Sequence, residues 1–219
     1  MKRFLFLSLF CLALWSGGRA QTISKVNFDA INKAISAPKS KLYYPNLLKR
    51  FQANDPTLTL EEYKHLYYGW PQQKGYDPYR PNTKSDDLNE MLLYERFQDI
   101  VKTGKEILAT DPFNMDVMYL MHMAYGELNN KAESQKWLRS FEGLMAAIKA
   151  SGNGRSFENA VVLVAPRDEY MFLTVVGLRQ DGKAQLVENK FHRVMLKTPN
   201  KLNLSEVYFN IQKATAFKK

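Results

Sequence analysis

Cysteine is almost missing from this chain of 219 residues, which contains a single one, Cys11. Cys11 lies inside an N-terminal apolar run that we expect to be removed from the mature protein. A mature chain without cysteine has no disulfide bonds, no thiol nucleophile and no thiolate metal ligands. Its stability must then come from burial of apolar side chains, which a chain of this length allows.

Histidine is scarce, and the three histidines are far apart in the sequence. His65, His122 and His192 lie in different predicted elements, and none has a partner at the spacing of a metal-binding motif. The chain also lacks the Gly-x-Ser-x-Gly elbow of serine hydrolases and the glycine-rich loop of nucleotide-binding proteins. We therefore expect no metal and no cofactor, and we assign no catalytic residue.

Arginine-rich runs are missing as well, although the formal net charge is +9. The basic residues are spread along the chain and match no nucleic-acid-binding module. Dispersed lysines of this kind are typical of a solvated surface with mild attraction to anionic polymers or lipid headgroups. The composition therefore predicts a protein without a nucleic-acid partner.

Residues 1–20 have the three parts of a secretory signal. A basic start precedes an apolar run at residues 4–15, and Gly18 and Ala20 are the small residues that a signal peptidase reads. The apolar run is shorter than the roughly 20 residues that span a bilayer. We predict cleavage before Gln21, export through the inner membrane, and a periplasmic or secreted protein that is not transmembrane after processing.

Apolar spacing typical of amphipathic helices fills much of residues 21–150. Thr59 and Glu62 have the spacing of a capping box, which predicts that a helix begins between them. The Asp-Pro pair at residues 111–112 predicts another helix start, as N-cap and first helical residue. In residues 69–87 turn-forming residues replace the periodicity, so we predict a long loop there.

Ser-Gly-Asn-Gly at residues 151–154 ends the helical pattern and predicts an exposed, protease-sensitive joint. Beyond it, runs typical of short strands occur at residues 160–164, 183–187, 191–196 and 206–211. Residues 170–178 have signals for both a helix and a strand, and the lack of two-residue alternation favours the helix. We predict an α+β fold, with a lobe of repeat-like antiparallel helices at residues 21–150 and a small, mainly antiparallel β lobe at residues 151–219.

Aromatic residues are concentrated in residues 63–81. The cluster consists of Tyr63, Tyr67, Tyr68, Trp70, Tyr76 and Tyr79. If they are buried, they hold the predicted loop against the helices, and we favour this role. If they are exposed, they bind sugar rings or a protein partner. The binding hypothesis places four residues on a surface for a partner or a glycan: Trp70, Tyr76, Tyr79 and Arg80.

Two resemblances rest on these motifs. The Asp-Pro-Phe-Asn turn at residues 111–114, with Gly104 before it and Ala124 after it, resembles a tetratricopeptide-like helical hairpin. The hairpin is degenerate, because His122 stands at the position of the glycine on which the helices of the repeat pack. The signal, this hairpin, residues 151–156 and the Val-Tyr-Phe-Asn-Ile segment near the C-terminus together resemble a family of exported proteins from Gram-negative bacteria, domain of unknown function 4919. That resemblance implies no activity, cofactor or site residue.

These observations favour a non-enzymatic, exported binding or protein-interaction module of the bacterial envelope, whose partner is another envelope protein or a glycan. The alternative is an envelope glycan hydrolase that uses carboxylates near residues 63–90, namely Asp86, Asp87 or Glu90. We interpret the acidic pair at residues 168–169 as helix capping. A deep pocket with perturbed carboxylates favours the enzyme, and a shallow apolar and aromatic patch favours the binding module.

Overall fold

The computed structural model describes residues 23–80 and 83–217, except for the side chains of residues 83–86. The predicted signal peptide lies outside these residues. Helices form the N-terminal part, and a four-stranded sheet lies in the C-terminal part, which confirms the predicted α+β class. Across the described ranges, no helix is both long and apolar enough to cross a bilayer.

The first three helices begin at recognisable start signals. Asn27 caps α1, Pro45 lies in the first turn of α2, and Thr59 and Glu62 form the predicted reciprocal capping box of α3. The side chains of Asn27 and Thr59 accept hydrogen bonds from N–H groups that have no partner inside the helix. Pro45 has no N–H group and therefore needs no acceptor. The three helices are α1 Phe28–Ser36, α2 Tyr44–Gln52 and α3 Leu60–Gly69.

The predicted loop at residues 69–87 is wrong in part. After α3 the chain makes a short 3-10 turn at Trp70–Gln72, and α4, Thr83–Leu93, begins inside the predicted loop. Residues 83–87 are all polar, so the first turn of α4 has no apolar period that would reveal it. Leu88 is fully buried and anchors the helix to the core.

The next helices are α5 Phe97–Thr110, α6 Met115–Glu127 and α7 Lys131–Lys149, which pack on one another in chain order. The predicted helix start at residues 111–112 is wrong, because α6 begins at Met115. Its N-cap is Asn114, whose side chain accepts a hydrogen bond from the Val117 N–H at 3.2 Å. Asp111 turns inward and accepts a hydrogen bond from the Asn114 amide at 3.1 Å. The resemblance to a tetratricopeptide repeat stays a prediction.

Each of the predicted strand regions contains a strand. The strands are β1 Val161–Val162, β2 Gln185–Val187, β3 Phe191–Met195 and β4 Glu206–Asn210, in the sheet order β1-β4-β3-β2. β1 is parallel to β4, and the other two pairs are antiparallel. Val207 and Phe209 of β4 and Val194 of β3 are buried, so this face of the sheet packs on the core.

Residues 170–175 are helical and no part of residues 170–178 forms a strand, which agrees with the helix that the sequence favours. This helix is α8, Asp168–Val175, and a last short helix follows the sheet, α9 Gln212–Thr215. α8 ends at Val175, and Gly177, two residues later, has φ 67°, a conformation that favours glycine after a helix. The ring of Phe172 meets the ring of Phe209 edge to face, with 5.6 Å between centroids, so α8 packs against the sheet.

The glycines of the 151–154 junction are buried, so the expectation that they are exposed is wrong. Gly154 has φ 69°, and its carbonyl accepts a hydrogen bond from the Tyr208 N–H at 2.9 Å. Gly152 lies directly against the backbone of Ala160. Glycine is needed at both positions because another chain segment approaches too closely for a side chain. Buried apolar residues from both sides of the junction form one cluster, and the division into lobes stays a prediction.

Candidate functional site

The aromatic residues of the binding hypothesis are divided between the core and the surface. Trp70 and Tyr76 are only 8% and 7% exposed, whereas Tyr79 is 49% exposed. The Trp70 ring packs edge to face on Phe113 at 5.5 Å, and the Tyr76 hydroxyl donates to the Val164 carbonyl at 2.6 Å. Both rings therefore belong to the core in this structure and do not present a surface to a partner.

The rest of the aromatic segment follows the same division. Tyr63, Tyr67 and Tyr68 are buried, which agrees with the packing role that we favoured. Arg80 is half-buried, and its guanidinium donates to the carbonyl of Gly75 at 2.8 Å. This hydrogen bond joins two positions of the same turn-rich segment.

The carboxylates of the predicted glycan hydrolase lie on α4. Asp87 and Glu90 are both exposed, and the side chain of Asp86 is outside the described part of the structure. Neither Asp87 nor Glu90 lines the concave site described below. The hydrolase stays a prediction.

A buried polar cluster joins the start of α8 to the helical part. The Arg167 guanidinium makes two contacts with the Asp111 carboxylate, at 2.7 and 2.8 Å. The Tyr67 hydroxyl donates to Asp168 at 2.5 Å and accepts from the Val164 N–H at 3.2 Å. Burial raises the pKa of Asp168 to about 7, although the nearby Arg167 lowers it. Asp111, Asp168 and Tyr67 are buried and Arg167 is half-buried, so the cluster holds α8 in place.

The second acidic residue of α8 is also engaged. Glu169 accepts from the ring of His192 on β3 at 2.6 Å, so both acids at the predicted helix start tie α8 to other elements. The other two histidines are elsewhere: His65 contacts a carbonyl of its own helix, and His122 contacts Ser134 at 2.8 Å. Among the described residues, no group of three potential metal ligands comes together.

A concave site lies between the 151–154 junction, the C-terminal end of α8 and the chain that leads into β4. It encloses about 470 Å³, a volume typical of small-molecule sites. We call it the basic groove. Its lining consists of Lys149, Gly152, Asn153, Arg155, Phe172, Val176, Leu178, Lys201, Leu202, Leu204 and Val207.

Two backbone features position the cations of the basic groove. The side chain of Asn153 accepts a hydrogen bond from the Arg155 N–H at 3.0 Å, and this turn leaves Arg155 exposed. At the end of α8, the Lys201 side chain lies across Gly177. A Cβ atom at Gly177 would be 2.6 Å from the Lys201 ammonium nitrogen. Any larger residue at this position would displace the ammonium group.

The charged side chains that line the basic groove are positive. Among the described residues, three cationic side chains line it, and no aspartate or glutamate does. Within the described residues, neither Arg155 nor Lys201 forms an ion pair. Apolar side chains below these cations reduce the local dielectric constant, so the positive potential in the groove is strengthened. An anionic group with an apolar portion is the complementary ligand.

Comparison with known proteins identifies the family. Residues 29–219 match the family described as Domain of unknown function (DUF4919). The chain belongs to this family. No curated protein and no solved structure matches the chain.

Two of the segments that carry the DUF4919 resemblance, residues 151–156 and residues 207–211, contribute to the basic groove. Gly152, Asn153 and Arg155 come from the first segment, and Val207 comes from the second. The sequence indicated the special backbone of the junction through its glycines. It gave no sign that Lys201 would lie beside that junction, because only the folded sheet brings them together.

Proposed function

We propose that this DUF4919 protein is an exported, non-enzymatic binding protein of the bacterial envelope, and that its basic groove holds an anionic ligand. The observation that carries the proposal is that Arg155 and Lys201, which form no ion pair with any described residue, share one concavity with an apolar floor. The signal-like residues 1–20 support the export.

The composition of the groove supports binding more than catalysis. Its side chains supply cations, one amide and six apolar groups. General acid–base chemistry relies most often on histidine or on a carboxyl group with a shifted pKa. Burial raises the pKa of two described carboxyl groups, Asp168 and Asp116, and neither of them lines the groove.

The expected energetics follow from the two parts of the groove. A hydrogen bond to a charged group contributes about 1.5–3 kcal/mol, and buried apolar surface contributes about 25 cal/mol per Å². Lys201 is exposed, so its contribution to an anion should lie near the lower value. Removing its charge should therefore weaken binding about tenfold.

The test uses anilinonaphthalene sulfonate, a fluorescent probe with one sulfonate and an apolar ring system. Wild type, Lys201→Gln and the control Lys102→Gln are titrated under the same conditions. Lys102 is exposed on α5 and lines no cavity described here, so its replacement changes net charge equally without touching the groove. Unchanged melting curves establish that all three proteins are folded.

We expect Lys201→Gln to bind the probe about tenfold more weakly than wild type and Lys102→Gln to bind it normally. Equal losses in both variants would mean that general charge attraction, and not the groove, holds the probe. Equal affinity of Lys201→Gln and wild type would contradict the proposed site.

A further inference from the structure

A second concavity lies between α8 and the two chain segments that are joined by the isolated bridge between Gln180 and Leu196. It encloses about 750 Å³, a volume typical of small-molecule sites, and we call it the Arg179 cavity. Its cations are Arg179 and Lys197, and among the described residues no aspartate or glutamate lines it. Neither cation lines the basic groove, so variants can test the two concavities separately.

The backbone places Arg179 and Lys197 opposite each other. The Lys197 N–H donates to the Arg179 carbonyl at 2.9 Å, directly beside the antiparallel bridge between Gln180 and Leu196. Opposed residues of an antiparallel pair have Cβ atoms about 4.5–5.5 Å apart, and their side chains interact. Both side chains are exposed and line the cavity, so the fold brings two positive charges together on one wall.

No acidic side chain of the described residues compensates this pair of like charges. Neither Arg179 nor Lys197 forms an ion pair with them. Asp181, two residues after Arg179, is exposed and does not line the cavity. Like charges on opposed residues destabilise a pair of strands. An anion bound between the two cations would remove this repulsion, so the arrangement favours an anionic ligand.

An exposed aromatic ring lines the same cavity. Tyr170 of α8 is 72% exposed, and its ring belongs to none of the aromatic pairs among the described residues. Such a ring offers a flat apolar face on which a ligand ring can stack. The apolar side chains of Leu173, Leu178 and Pro199 also contribute to the lining. The cavity therefore has the size and composition for a ring-bearing anion.

One side chain holds the loop that follows Lys197. The Asn200 amide donates to the carbonyls of Lys197 at 3.0 Å and Leu204 at 2.6 Å. Its oxygen accepts from the N–H groups of Leu202 and Leu204, each at 3.2 Å. Four hydrogen bonds to one amide fix this wall before a ligand arrives, which reduces the entropy lost on binding.

From these contacts we propose that the Arg179 cavity is a second binding site, which takes a sugar phosphate. Arg179 and Lys197 hold the phosphate group, whose charge of about −1.5 to −2 at neutral pH matches two cations. The guanidinium supplies paired donors for two phosphate oxygens, and the lysine adds a point charge. The ring of Tyr170 stacks on the sugar ring. The inference goes beyond the proposed function, and neither depends on the other.

The test compares three probes by calorimetric titration in phosphate-free buffer: glucose 6-phosphate, the ringless glycerol 3-phosphate, and uncharged glucose. We expect glucose 6-phosphate to bind about threefold more tightly than glycerol 3-phosphate, and glucose to give no measurable binding. Equal affinity of the two phosphates would mean that the role given to the sugar ring is wrong. Binding of glucose as tight as that of its phosphate, or no binding of either phosphate, would overturn the proposed site.

Variants of the cations locate the phosphate group. Arg179→Gln and Lys197→Gln should each weaken glucose 6-phosphate about tenfold. Arg155→Gln in the basic groove and Lys102→Gln on α5 change the net charge equally and should leave its affinity unchanged. If Arg155→Gln loses affinity and Lys197→Gln does not, the phosphate binds in the basic groove, and the inference fails while the proposed function stands.

Variants of two exposed tyrosines locate the sugar ring. Tyr170→Ala should abolish the difference between glucose 6-phosphate and glycerol 3-phosphate. Tyr94→Ala is the control, because Tyr94 is 65% exposed and does not line the cavity. A difference that survives in Tyr170→Ala would refute the stacking.

Thermal melting provides a readout that a purely structural lysine would not give. Without phosphate, Lys197→Gln should melt no lower than wild type, because it removes the repulsion from Arg179. Glucose 6-phosphate should raise the melting temperature of wild type and not that of Lys197→Gln. A lower melting temperature of Lys197→Gln in phosphate-free buffer would contradict the charge argument.

Discussion

Replacing Trp70 by alanine tests whether the aromatic segment is part of the core. The ring is 8% exposed and packs on Phe113 and Tyr76, with centroid distances of 5.5 and 6.5 Å. A ring carbon would lie 2.9 Å from a Cβ atom at Gly75, so the turn closes directly over the indole. Truncation leaves a cavity that these aromatic neighbours cannot fill.

The loss of a buried tryptophan costs about 3–5 kcal/mol of unfolding free energy. For a chain of this size, each kcal/mol lowers the melting temperature by about 2–4 °C. We therefore expect Trp70→Ala to melt roughly 6–20 °C below wild type. Thermal melting followed by circular dichroism, together with urea unfolding at constant slope, measures both quantities.

Tyr79→Ala is the matched control, because Tyr79 belongs to the same segment and is 49% exposed. Its unfolding free energy should stay within about 0.5 kcal/mol of wild type. If Trp70→Ala is as stable as Tyr79→Ala, the packing assigned to the indole is wrong. Trp70 would then be available for the surface role of the binding hypothesis.

Three further predictions concern stability and processing. Because the pKa of Asp168 is raised to about 7, above its unfolded value, the native state binds the proton more tightly. The stabilisation that protonated Asp168 contributes is complete below about pH 4. As the pH rises from there through 7, the free energy of unfolding falls by at most about 4 kcal/mol. Urea titrations should show that the unfolding free energy of Asp168→Asn falls less than that of wild type between these pH values. Equal changes in the two proteins would refute the raised pKa of Asp168. Gly154→Ala should cost about 2–4 kcal/mol, because its Cβ would overlap a side chain of β4 in addition to the strain of positive φ. Gly182→Ala has similar φ and open space, so it should cost less, and equal losses would contradict the packing argument. Intact-mass measurement of the exported protein should show cleavage between Ala20 and Gln21, and a retained signal would contradict it.

The elements that were predictable have local causes. The capping box of Thr59 and Glu62 involves neighbouring residues, and so does the helix end at Gly177. The strand regions were visible because their apolar runs are short and bounded by turns. In each case the interaction that forms the element is contained within a few residues of sequence.

The elements that were missed depend on contacts distant in sequence. Asp111 has the identity of an N-cap, yet its carboxylate pairs with Arg167, and Asn114 caps α6 in its place. Gly154 appeared to be a flexible joint, but the neighbouring strand β4 requires a glycine there. A single sequence contains no signal for either partner.

The basic groove was missed for a related reason. Arg155 and Lys201 are ordinary solvated cations when the sequence is considered alone. They become a site because the junction and the loop before β4 both end beside α8. The composition of the aromatic segment suggested a binding surface, whereas the rings of Trp70 and Tyr76 are buried in the core.

The measurement that tests the central claim most directly is an amide nuclear magnetic resonance titration of the mature protein with anilinonaphthalene sulfonate. The proposed function predicts that the largest shift changes occur at Gly152 and Asn153 of the junction, at Gly177 and Leu178, and at Lys201, with little change in α1 or α5. Shift changes concentrated around the exposed Tyr79, or spread evenly over the surface, would contradict the assignment of the basic groove as the ligand site.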